Sequence, residues 1–130
     1  MLDVTQIESL DSDNMLDHIV SLPTQITKAW NHGMELPLPD VSDISNIVIL
    51  GMGGSAIGGS LLQTLIAPEC TVPILSNRDY EIPHFVGPNS LVIALSYSGN
   101  TEETLTALVS AQKQGAQVVT ISTGGQISKL

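Results

Sequence analysis

Aromatic side chains, bases and cysteine are all scarce in this chain. One Trp, two Tyr and one Phe make up 3% of 130 residues while hydrophobic residues reach 42%, so the core has to be aliphatic. Only 4 residues are Lys or Arg against 13 Asp or Glu, a formal charge of -9, which argues against nucleic acid and anionic membranes as partners. A small anion is still admissible, because backbone dipoles and hydroxyls hold one without a basic patch. Cys70 stands alone and cannot form an internal disulfide, and the first twenty residues are acidic where a secretory leader would be basic; both features predict a cytosolic protein. Charge is also missing from residues 44–67, which include a Gly54-x-x-x-Gly58 spacing of the kind that pairs helices in lipid. Five glycines between 51 and 59, with no flanking Lys or Arg, argue against a membrane-spanning helix there.

The length suits one domain. Residues 1–10 show no periodic pattern and are expected to fray. Asp11-Ser12-Asp13-Asn14 offers caps, and Met15, Leu16, Ile19, Val20 and Leu22 recur at helical spacing, which predicts a helix over about 12–22. Pro23 suits the first turn of a second helix, with Ile26, Ala29 and Trp30 on one face and Gly33 as its stop. Residues 1–40 therefore read as a helical hairpin followed by a connector stiffened by Pro37 and Pro39. His18 and His32 have no Cys or acidic partner at a ligand spacing and read as surface residues.

Residues 41–130 carry four apolar strand-like runs, at 46–50, 72–76, 90–95 and 117–122. Helix-compatible segments lie at 55–66 and 101–114, the second ended by Gly115. Strands alternating with helices predict an α/β fold with a parallel sheet. The link 77–89, with Pro83 and Pro88, has room for a short helical turn at most.

The third run, Ser90-Leu91-Val92-Ile93-Ala94-Leu95, reads as a strand covered on both faces, and Ser96-Tyr97-Ser98-Gly99-Asn100-Thr101-Glu102-Glu103-Thr104 follows it. Gly99 permits an unusual φ, Asn100 is expected to cap the next helix, and Glu103 completes a capping-box-like pair. The hydroxyls of Ser96, Ser98 and Thr101 converge with the free N–H groups and positive dipole end of that helix, which makes an anion seat suited to phosphate. A plain helix start needs one such group; this turn has three hydroxyls, a Gly and an Asn within six residues. Tyr97 alternates with the serines and is expected to pack. Glu102 and Glu103 complement the dipole and are expected to face solvent.

The first run leads into a second special turn, Gly51-Met52-Gly53-Gly54-Ser55-Ala56-Ile57-Gly58-Gly59. Its glycines let the backbone approach a ligand, and Gly51-x-Gly53-x-x-Ala56 also fits a dinucleotide fingerprint, with Asp79 or Arg78 near the second strand to meet the ribose or its phosphate. An NADP-binding domain is thus a rival reading. In a flavodoxin-like order of 2-1-3-4 the first and third strands are neighbours, so both turns border one crevice. A dinucleotide has no use for Ser96, Ser98 and Thr101, whereas a sugar phosphate uses both turns, its phosphate on the third-strand turn and its body against Gly53 and Gly54.

With these motifs, together with Asp79-Tyr80-Glu81-Ile82-Pro83, Ser122-Thr123-Gly124-Gly125 and Leu22-Pro23…Ala29-Trp30, the chain resembles the sugar isomerase (SIS) domain from about residue 11 onward, and more narrowly the bifunctional phosphoglucose/phosphomannose isomerase family. The resemblance implies a three-layer α/β fold and interconversion of glucose 6-phosphate or mannose 6-phosphate with fructose 6-phosphate, without metal or other cofactor. It also implies phosphate binding by Ser55, Ser96, Ser98 and Thr101 and sugar binding by Gly53 and Gly54. Enediol chemistry needs a base, a ring-opening acid and a cation. In the family these lie in a second domain beyond the part matched here, so no catalytic residue is expected within this chain and its first domain is expected to be cut short. His84 and Arg78 read as structural. The same fold also serves sugar-phosphate sensors, a second reading; the single base in residues 1–40, Lys28, argues against a DNA-binding arm. Exposed apolar surface predicts self-association, as a homodimer or larger.

Overall fold

A computed structural model describes residues 9–37 and 41–130. The expectations for residues 1–10 and for Leu38, Pro39 and Asp40 of the connector fall wholly or largely outside them. The chain divides into two compact units, Met1–Pro39 and Asp40–Leu130.

The first unit holds α1 (Met15–Val20) and α2 (Leu22–Glu35). The Asp11 carboxylate caps α1, accepting from the N–H of Met15 at 2.7 Å and of Leu16 at 2.8 Å. In place of a hairpin loop, the single residue Ser21, itself helical, joins the two. Its N–H donates to Asp17 and its carbonyl accepts from Gln25, so the ladder crosses the junction. Gly33 does not stop α2 as expected. The helix runs to Glu35 and ends because Leu36, which precedes Pro37, is extended at φ -72 and ψ 138.

The second unit is a parallel sheet of β1 (Asn46–Leu50), β2 (Ile74–Asn77), β3 (Ser90–Ser96) and β4 (Gln117–Ser122) in the order β2-β1-β3-β4. Helix α3 (Gly53–Ile66) connects β1 to β2, and α4 (Glu102–Lys113) connects β3 to β4. Residues 78–89 form an irregular loop, pinned by Val86, which is buried, and by turns closing on Pro83 and Gly87.

Alternation along β1 separates the two faces. Val48 and Leu50 join Val92, Ala94, Ala107, Leu108, Ala111 and Ile127 in the main core beneath α4. Ile49 points the other way, against α3, and Gly59 makes that contact possible: a Cβ there would meet Ile49 Cγ2 at 2.7 Å. Helices on both faces of the sheet give three layers. β3 is not evenly covered, contrary to its unbroken apolar run. Ser90, Val92, Ala94 and Ser96 are buried while Leu91, Ile93 and Leu95 are half-buried, because α3 covers its face less fully than α4 does.

Helix α4 closes as a Schellman motif: Ala116 N–H donates to Ala111 O and Gly115 N–H to Gln112 O, both near 3.0 Å, with Gly115 at φ 81. Among the described residues no helix is long and apolar enough to cross a membrane.

Candidate functional site

The two special turns leave the carboxyl ends of adjacent strands, β1 and β3, at the reversal of strand order where α/β sheets bind ligands. Gly51 lets the first turn lie close to the end of β3, since a Cβ there would press on Leu95 O at 3.2 Å and on Ala56 N of its own turn at 3.3 Å. Gly53, at φ 52, turns the chain into α3, and open space lies over both Gly53 and Gly54. A cavity of about 530 Å³ forms between the turns, lined by Met52, Gly54, Ser55, Tyr97, Ser98 and Thr101.

Ser55, Ser98, Thr101 and Gly54 are thus brought to one place, with Gly53 beside them. Ser96 lies underneath. It is 2% exposed, its Oγ accepts from Gly99 N–H at 3.1 Å, and it shares a 3.0 Å hydrogen bond with Thr101 Oγ1. When Ser96 donates in that pair, the Thr101 proton is free to turn toward the cavity.

Asn100 does not cap α4. Thr101 occupies the cap position in extended conformation, while Asn100 Nδ2 donates to Ser98 O at 3.1 Å and its Oδ1 accepts from Gln126 N–H at 3.0 Å. Asn100 therefore ties the seat to the loop after β4 instead of to its own helix. The same loop supplies Thr123, whose N–H and Oγ1 both donate to Tyr97 O, and Ile127 N–H, which donates to Gly99 O. Gly99 and Gly125 cross where any Cβ would collide, with Gly124 O and Ser98 O respectively. Sequence reading missed Thr123 and Met52; only the Ser122-Thr123-Gly124-Gly125 motif hinted at the former.

Backbone acceptors around the seat already have donors. Ser96 O accepts from Gly99, Ser98 O from Asn100, Thr101 O from Leu105, and Met52 O from Ser55 and Ala56. Ser55 and Ala56 apart, the N–H groups at the starts of α3 and α4 precede the first helical hydrogen bonds, and the positive dipole ends of both helices lie at the crevice.

Tyr97 is not a packing residue. The residue is 80% exposed, because the chain leaves the strand at Ser96. It lines a second cavity of about 280 Å³ as well, with Ser55, Leu95, Ser96, Ile121, Ser122 and Thr123.

Glu103 is half-buried, not solvent-facing as expected, and Glu102 is exposed. The pKa of Tyr80 is raised above 10.0, by desolvation first and then by the charges of Glu102 and Glu103. The groups a dinucleotide would need have other partners: Arg78 donates to Ser60 Oγ at 2.9 Å, and Asp79 Oδ1 accepts from Tyr80 N–H at 2.7 Å.

The SIS domain model matches residues 40–129, and the chain belongs to that family. It is 45% identical over 116 residues to the bifunctional phosphoglucose/phosphomannose isomerase of Caldicellulosiruptor bescii, covering 88% of this chain and 34% of that protein. The protein of the same name from Thermoplasma acidophilum is 49% identical over 86 residues, 66% of this chain and 27% of its own length. The chain thus spans about a third or less of these curated relatives. Among solved structures, the C-terminal domain of glucosamine-fructose-6-phosphate aminotransferase from Francisella tularensis superposes with a TM-score of 0.66 at 23% identity, over 88% of this chain and 36% of that one, a likeness of fold.

Proposed function

We propose that residues 41–130 bind a hexose 6-phosphate as the phosphosugar-binding part of an aldose–ketose isomerase that interconverts glucose 6-phosphate or mannose 6-phosphate with fructose 6-phosphate. The observation that carries this reading is a cavity lined from both turns by Ser55, Gly54, Ser98 and Thr101. Its hydroxyls and helix N-termini suit a phosphate, and its open glycine backbone suits a hydroxylated body. Residues Ser55, Ser98 and Thr101 hold the phosphate, Ser96 supports them from below, and Gly53 and Gly54 meet the sugar.

The cavity lining has no carboxylate, imidazole or amine, so this unit supplies binding and orientation, and the proton transfers of an enediol route need groups from elsewhere. Ile57, Leu61 and Leu65, exposed along one side of α3, support self-association as part of the same reading. Calorimetric titration with glucose 6-phosphate and with NADPH tests the proposal. Binding of the sugar phosphate is expected; binding of the nucleotide alone would overturn it.

A further inference from the structure

Ser55 and Tyr97 are shared by two adjoining cavities, and the second adds the apolar side chains of Leu95 and Ile121 beside Ser96, Ser122 and Thr123. Leu95 and Ile121 are paired across β3 and β4 and so stand on one face of the sheet, the face toward α3. Tyr97 follows them at the end of β3. Its backbone is fixed by two hydrogen bonds from Thr123, while its ring is free of the core. A solvent-facing phenol, on a backbone held by Thr123 and one residue from Ser98 of the seat, is poorly explained by packing. An aromatic face offers instead a flat apolar wall to the C–H side of a sugar, and has little to offer a phosphate.

We infer that Tyr97 is a specificity residue: its ring flanks the carbon skeleton of the bound hexose phosphate and sets affinity for the sugar body, not for the phosphate group. This rests on the hexose-phosphate reading above.

The test compares glucose 6-phosphate with inorganic phosphate, titrated by NMR into the wild-type chain, Tyr97→Ala and Tyr97→Phe. Tyr97→Ala is expected to weaken glucose 6-phosphate by about tenfold while inorganic phosphate changes less than about twofold. Tyr97→Phe, which keeps the ring, is expected to match wild type for both. Equal losses for the two ligands, no loss for either, or a Phe variant as weak as Ala would overturn the inference. A wild-type chain that binds neither ligand removes the hexose-phosphate reading and this inference with it; wild-type binding with an indifferent Ala variant removes the inference alone.

Discussion

The hydroxyls of Ser96 and Thr101 lie 3.0 Å apart, one at the end of β3 and the other at the cap of α4. Ser98, between them in sequence, is exposed and accepts from Asn100 N–H at 3.2 Å, which leaves its own proton to donate. The two serines should respond differently to truncation. Ser98→Ala should weaken hexose phosphate binding by about 1–3 kcal/mol with little change in melting temperature. Ser96→Ala strips a buried partner from Gly99 N–H and Thr101, and should also lower folding stability by about 1–3 kcal/mol. Calorimetry and thermal denaturation of both variants decide the matter; identical profiles would contradict this division.

Gly99→Ala should be among the more damaging single changes. The residue sits at φ 65, and a Cβ would collide with Gly124 O and crowd Ser122 Oγ at 2.8 Å. Both the strained backbone and the forced separation of two loops oppose folding, by about 2 kcal/mol or more. Urea unfolding near wild-type stability would refute this account of the crossing.

Gly59→Ala tests the other close approach, α3 on β1. The obstructing Ile49 Cγ2 belongs to a stiff β-branched side chain, so the helix has to move. A loss of about 1–3 kcal/mol is expected from overpacking. Combining it with Ile49→Ala should give less than the sum of the two losses in a double-mutant cycle. Strict additivity would show that the two positions do not meet.

Tyr80 should ionise late. The chain has two tyrosines, so in a Tyr97→Phe variant the phenol absorbance reports Tyr80 alone, and its midpoint should lie above 10.0. The folded chain favours the neutral phenol; that contribution is fully present below 10.0 and is lost as pH rises through the higher folded value. Replacing Glu102 and Glu103 with Gln should bring the midpoint down. A midpoint at or below 10.0 before that change would separate Tyr80 from the carboxylates.

Much of this architecture is legible in the residues. β1 and β4 match their apolar runs, and Gly115 ends α4 through a local motif. The neighbouring placement of the two turns follows from strand order. What escaped reading depends on partners far along the chain. Asn100 looks like a cap, but Gln126, 26 residues later, competes for its side chain. Gly33 looks like a stop, yet the constraint from Pro37 acts three residues further on, at Leu36. Tyr97 extends the alternation of β3 on paper, whereas the strand ends one residue before it.

Carbonyl oxygens at Met52, Ser96, Tyr97, Ser98, Gly99 and Thr101 each already accept a hydrogen bond from within the chain. On the proposed reading, a rim whose carbonyls are engaged and whose helix N-termini are open favours an anion. On the hexose-phosphate reading, a phosphomonoester should be held more firmly as pH climbs past its second ionisation near about 6 and its oxygens gain charge.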